Sequence, residues 1–208
     1  MPTSPEYLSV WPDLLKQIST EVLSDSDLME HSWPQFISSE QKENGWLGFA
    51  GASDSDLQEL EQRLGVTLPP SYYSFLSSSN GFGPINCFIS GLYPSTEVNW
   101  LVDKDQEIIE IWEETHAQFP ELIISDDDYF NPQNMQDASY TRVKYLRGCL
   151  MISDWGDAGF LALNPAVKYD GEWEAWHFAN WHPGVVRYHS FVEMMRQTIN
   201  NYRHLKQL

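Results

Sequence analysis

The chain has 208 residues, with 12 Lys and Arg against 30 Asp and Glu, for a net charge of −18. That imbalance repels phosphate polymers and argues against direct contact with nucleic acid or an anionic membrane surface. Two cysteines, Cys87 and Cys149, are too few for a disulfide framework and lack CxxC spacing, and no apolar run approaches the roughly 20 residues of a membrane span. The start, MPTSPEYLSVWPDLL, lacks the basic head and long apolar segment of a secretory signal. A reduced, cytoplasmic setting is therefore expected, with a Cys87–Cys149 bridge as the less favoured alternative.

Residues 1–52 read as a helical lead-in, with Leu8, Trp11, Leu14, Leu15, Ile18 and Val22 near helical spacing. Trp33-Pro34 and Asn44-Gly45-Trp46 interrupt the second half of that lead-in. Ser53, with Asp56 three residues on, predicts a capping box. Leu57, Leu60 and Leu64 then form one apolar stripe, and Gly65 stands where a left-handed stop is wanted. Pro69-Pro70 starts a second helix whose bulky face is Tyr72, Tyr73, Phe75 and Leu76, and Asn80-Gly81 ends it. The run 85–93 suggests a strand, and 95–119 a second helical region with Val98, Leu101, Ile108, Ile111 and Trp112 on its apolar face. The polar stretch 125–140 is expected to be a loop. Two extended runs, 148–153 and 160–163, flank a Gly- and Asp-rich turn, with Asn164-Pro165 as the expected end. Residues 172–178 alternate, placing Trp173, Ala175 and His177 on one face and Glu174, Trp176 and Phe178 on the other. Val185 to Tyr188 is a short strand, and Ser190 with Glu193 predicts a capped last helix. Helices bracketing hairpin-linked strands predict an α+β fold with an antiparallel-rich sheet.

The ordered string Leu57-x-x-Leu60-Glu61-x-x-Leu64-Gly65-x-x-Leu68-Pro69, then Tyr72, Phe75-Leu76 and Asn80-Gly81, resembles the opening motif of the SUKH superfamily, the Smi/Knr-type domains. Ile152 to Phe160 resembles that family's strand, Gly-Asp turn and strand. Val185 to Phe191 resembles its closing strand and Ser-Phe-x-Glu helix start. The match covers roughly 53–200 in outline. It implies a single α+β domain at 53–208. Residues 1–52 lie outside the motif; they are expected to pack on that domain as a helical extension, serving as a core completion, a specificity element or a dimer contact. It also implies a non-catalytic, protein-binding role, because relatives include bacterial immunity proteins that neutralise toxins and eukaryotic regulatory interaction proteins.

The residues alone offer little for catalysis. Asp126, Asp127 and Asp128 could hold a divalent cation, but they lack the alternation and closing Glu of an EF-hand, and a solvated or partner-facing acidic loop is simpler. Asp154 and Asp157 could do acid–base work, yet a turn that bonds its own backbone explains them. His177, His182 and His189 match no zinc spacing, and Pro84 spoils a phosphate loop at Gly81-Phe82-Gly83. No catalytic residue, cofactor or metal is expected.

Between Glu97 and Asp137 twelve carboxylates face Lys104 alone, a local net of −11. Such a segment attracts and steers a cationic protein. An immunity protein that covers a basic toxin domain, a nuclease above all, is the reading that joins this charge to the resemblance. A regulatory or scaffolding protein with an endogenous partner is the alternative, and an acidic hydrolase and a merely solvated acidic domain are the further rivals. Glu113, Glu114, Asp126, Asp127 and Asp128 are expected to steer the partner. Tyr129, Trp155, Asp157, Glu174 and Trp176 are expected to anchor it, as rings among carboxylates suit a basic partner.

Overall fold

The structure, a computed structural model, describes the backbone of residues 5–207 and the side chains of 9–207. The side chain of Leu8 thus lies outside the described residues. Helix α1 (Pro5–Leu23) buries Trp11, Leu14, Leu15, Ile18 and Val22, the stripe its spacing dictates. Trp11 lies 5.3 Å from the Phe75 ring and 5.2 Å from Phe191, and its Nε1 donates to the Ser71 carbonyl at 3.1 Å. Residues 9–52 therefore build the same core as the rest of the chain.

Helix α2 (Ser39–Asn44) is capped by Ser38 and stopped by Gly45. Helix α3 (Asp54–Leu64) carries the expected capping box: Ser53 Oγ accepts from the Asp56 N–H, and the Asp56 carboxylate accepts from the Ser53 N–H at 2.8 Å. Its stop, Gly65, has φ +69°, a conformation that costs a side-chain-bearing residue but not glycine. Helix α4 (Pro70–Ser78) comes next, with Tyr72, Phe75 and Leu76 buried. Its N-cap, Pro69, has no side chain able to cap. Glu172, distant in sequence, fills that role: its carboxylate accepts from Ser71 N at 2.8 Å and Ser71 Oγ at 2.6 Å, at the positive end of the helix.

Five strands form one antiparallel meander in the order β1 (Asn99–Trp100), β2 (Leu150–Met151), β3 (Gly159–Tyr169), β4 (Glu172–Ala179) and β5 (Val185–Tyr188). The α+β architecture read from the sequence is the one observed. The run 85–93 is not a strand. Asn86 Oδ1 accepts from the N–H groups of Phe88 and Ile89, at 2.8 and 2.9 Å, and this turn folds the segment back so that only Leu92 makes isolated bridges. Strand β3 also runs past Asn164-Pro165. Its pairing with β4 lapses between Asn164 and Lys168, and the proline, which has no N–H to give, occupies that bulge.

The expected helix 95–119 is divided. Strand β1 leads into α5 (Leu101–Lys104), and Asp105 then caps α6 (Gln106–Gln118) by accepting from Ile108 N at 3.1 Å. The expected loop 125–140 is mostly short helical turns. It holds α7 (Asp126–Tyr129) and turns at Pro132–Asn134 and Ala138–Tyr140, with Tyr129, Met135 and Ala138 buried. Helix α8 (Phe191–Leu205) closes the chain; Ser190 accepts from Glu193 N, and Glu193 returns a bond to the N–H of His189.

Alternation along β4 sets two layers. Trp173, Ala175 and Tyr188 join the large core with α1, α3, α4 and α8. Trp176 and Phe178 face the other way, into a second core with Met151, Phe160, Val185, Leu101, Ile109, Val143 and Leu146. That second layer comes from residues 101–149, one long excursion between the neighbouring strands β1 and β2. This arm lets both tryptophans bury, Trp173 at 3% and Trp176 at 1% exposure.

Candidate partner-binding surface

The arm is fastened to the sheet by buried charge. Glu174, fully buried on β4, accepts from Tyr129 Oη at 2.5 Å, Trp176 Nε1 at 2.7 Å and Asn164 Nδ2 at 3.0 Å. Arg187, across the ladder on β5, donates to Glu174 at 3.3 Å and to the Tyr129 and Asn134 carbonyls at 2.9 and 3.2 Å. Its guanidinium lies 3.9 Å from the centre of the Tyr129 ring. The Tyr129 hydroxyl is held neutral, its pKa raised by burial first and by the Glu174 charge second. The arm also covers the free edge of β5, where Arg187 N donates to the Met135 carbonyl and Val185 N to Thr141 Oγ1.

Tyr129, Glu174 and Trp176 are therefore corrected from surface anchors to parts of this latch: each is at most 1% exposed, and a partner cannot touch them. Sequence alternation put Glu174 and Trp176 on one face but could not show that residues 101–149 cover it. Trp155 is half-buried. Its ring meets Phe160 and Phe178 edge-on, and its Nε1 donates to Asp105 at 2.8 Å, pinning the turn to the arm. Asp157 is exposed in the same turn, where its N–H donates to the Phe88 carbonyl at 2.7 Å. Near it, burial pushes the Asp154 carboxyl up, against a bond from Ser90.

The five residues expected to steer a partner stay on the outside of the arm, but two are partly committed. Glu113 takes two bonds from Arg147, at 2.7 and 2.6 Å, which hold its carboxyl below the ordinary value. Asp126 pairs with Arg142, a buried guanidinium that also donates to the Ile124 carbonyl at 3.1 Å and sits over the Tyr129 ring. Glu114, Asp127 and Asp128 are exposed, and Asp128 accepts from Ser125 Oγ at 2.7 Å. Of the twelve carboxylates between Glu97 and Asp137, ten are exposed, and Asp105 and Glu113 are half-buried.

Apolar side chains stand among these charges. Phe119 is 48% exposed, Leu122 43%, Ile123 66% and Phe130 50%. Beside them runs a groove of about 360 Å³ lined by Glu113, His116, Ile123, Asp126, Arg142 and Lys144 among others. Residue-by-residue reading missed this strip. Phe119, Leu122 and Ile123 lie just past the end of α6, in and around a single 3-10 turn (Pro120–Leu122) too short for periodicity to separate core from surface. In general, surface rings and aliphatics ringed by carboxylates can exclude water at an interface, and exposed acids can steer a cationic molecule.

Among the described residues no group of three His, Cys, Asp or Glu is placed to hold a metal, and no helix is long and apolar enough to cross a membrane. Both cysteines are free thiols, Cys149 buried and Cys87 half-buried. No curated protein matches the chain. The model of the SMI1/KNR4 family (SUKH-1) matches residues 51–197, which takes in the α3–α4 hairpin, the arm, the whole sheet and the first half of α8. With most of its length inside that match, the chain belongs to the SMI1/KNR4 (SUKH-1) family.

Proposed function

We propose that this protein is a non-catalytic binding module that covers a basic partner, and that it serves as an immunity protein against a cationic toxin domain of nuclease type. One observation carries the reading: Phe119, Leu122, Ile123 and Phe130 are exposed inside a segment that displays ten outward carboxylates. A nuclease must be basic to hold phosphate, so an acidic surface competes for the same ground. Family membership supports a binding role, since immunity proteins are among SUKH-type domains.

The test first asks whether a reading frame beside this gene encodes a basic nuclease-type domain, and then assays that domain for growth protection and by stopped-flow association at low and high salt; a neighbourhood without one counts against the immunity role. Asp127→Lys with Asp128→Lys should slow association about tenfold at low salt and flatten its salt dependence. Ile123→Asp or Phe130→Ala should raise the dissociation rate about tenfold with little change in arrival. If both leave rates and protection as in the parent, the arm is not the binding surface.

A further inference from the structure

On the face of the sheet away from the arm, the C-terminal half of α8 stands off β4 and β5 and leaves a cavity of about 470 Å³. His177 and Tyr188 line it from the strands, Thr198 and Tyr202 from α8, and Phe88 and Trp181 from the loops at its mouth. The size falls in the range of sites for small organic ligands. Trp181 is 48% exposed and packs 4.8 Å from the Phe88 ring. Among the described residues that line the cavity there is no Asp, Glu, Lys or Arg. His182 and His204 also line it, but it offers no permanent cation to a phosphate or carboxylate and no carboxylate to an ammonium.

Two of its lining residues carry polar atoms that have no partner and sit just behind the cavity surface. His177 Nε2 and Thr198 Oγ1 are closed to bulk water and bonded to nothing among the described residues. Thr198 is only 3% exposed. Hydroxyls in other helices of this chain turn back on their own backbone: Thr20 donates to the Lys16 carbonyl and Thr115 to the Ile111 carbonyl, at 2.9 and 2.7 Å. Thr198 does not, though the same bond is open to any helical threonine. Other buried polar atoms of the described residues also lack partners, Tyr72 Oη and Ser74 Oγ among them, but here two such atoms belong to residues that line one aromatic cavity, and each unmet group costs stability.

We propose that this cavity is a binding site for a small, uncharged, planar heteroaromatic molecule, whose ring stacks against Trp181 and whose polar edge bonds His177 and Thr198. The ring supplies the face that the aromatic walls complement. The edge supplies the missing donor and acceptor, met by small rotations of the Thr198 and His177 side chains. Gln136 of the arm also lines the cavity, but none of the arm's acidic or exposed apolar side chains does, and the site does not depend on the function proposed for them.

The experiment titrates the full chain with indole, adenine and nicotinamide, and with benzoate and benzylamine as charged counterparts. Binding is followed through the imidazole carbon–proton NMR signals of His177. At least one neutral probe should saturate and move that signal, and each charged probe should bind at least tenfold more weakly. Thr198→Val, which keeps the shape, and Trp181→Ala, at the exposed rim, should each weaken the neutral probe about tenfold, the worth of one buried bond or one ring contact. Saturation by none of the three, equal binding of the charged probes, or unchanged affinity in both variants would overturn the site. The circular dichroism of Trp181→Ala, a substitution at a half-exposed position, separates lost binding from lost fold.

Discussion

On one face of the sheet Trp173, Ala175 and Tyr188 meet α1, α4 and α8 in a mainly apolar layer; on the other, Trp176 and Phe178 share their space with the buried Glu174 carboxylate and Arg187 guanidinium. The first layer is held by many interchangeable contacts. The second joins the sheet to an arm of short helices and turns, which buries less apolar surface of its own and relies on a few directed bonds. Non-directional burial tolerates local error and fails globally. A charged latch fails at one residue, and what it releases is the arm.

Trp11→Ala should be the most damaging single change. It empties a site between Phe75 and Phe191 and removes the bond to Ser71, at a cost of about 4 kcal/mol. Urea denaturation should show one cooperative transition at lower midpoint, with amide exchange faster throughout the molecule. Selective loss of protection in the arm would contradict the division between the two layers.

Arg187→Met should cost about 3 kcal/mol, the lower end for stranding a buried charge, because the ion pair it breaks is long at 3.3 Å. Here amide exchange should rise first in residues 126–142, whose carbonyls at Tyr129 and Asn134 lose their donor. Adding Glu174→Gln to Arg187→Met should restore part of the loss, as the remaining side chain no longer carries charge. If the double variant is no better than the single, the bonds to the arm carbonyls outweigh the ion pair.

The same contrast separates what the sequence announced from what it hid. The α1 stripe, the Ser53–Asp56 box, Gly65 and the α3–α4 hairpin derive from spacing and φ preference, which are local. So do β4 and β5. The bend at Asn86 is local too, a side-chain turn over three residues masked by the apolar run around it, whereas the bulge at Pro165 and the burial of Tyr129 depend on partners distant along the chain. For the site, the run of acids was plain in the composition. Which of them point freely outward was not, because Arg142 and Arg147 come from beyond the acidic window to pair with Asp126 and Glu113. Likewise Glu174 and Trp176 look like surface anchors until the arm is folded over them.

The cavity on the α8 side brings a pH test to the apolar layer. Burial, with the charge of His182 adding to it, pushes the His177 ring down to about 4 from an ordinary 6.5. The lining it shares also holds Tyr188, Tyr202 and His204, which ionise, and Asn86, Gln136, Trp181, Thr198 and Asn201, which hydrogen-bond. Between those two pH values the unfolded chain binds the proton that the folded one refuses. Stability contributed by the neutral ring is thus present above about pH 6.5 and lost as pH falls toward 4, by up to about 3 kcal/mol. His177→Phe should flatten that part of the stability–pH curve relative to the parent, with groups common to both cancelling. Curves that stay parallel from pH 7 to pH 4 would show that the ring is free to protonate in place.

The smallest effects are expected on the outer surface of the arm, and they separate a carboxylate that holds structure from one that is free to bind. Asp126 and Asp127 are neighbours of equal charge in the same helical turn, and both are exposed. Only Asp126 reaches the buried Arg142. Asp126→Asn should therefore cost about 1 kcal/mol, since Arg142 keeps its charge and its bond to the Ile124 carbonyl but loses its counter-ion. Asp127→Asn should stay within about 0.5 kcal/mol of the parent, as removing an unpaired surface charge does elsewhere. In a chain of net charge −18 the second change could even stabilise slightly by easing self-repulsion. Equal losses at the two positions would mean that the Arg142 pair contributes nothing the solvent cannot replace, and Asp126 would then rejoin Glu114, Asp127 and Asp128 among the acids left free for a partner.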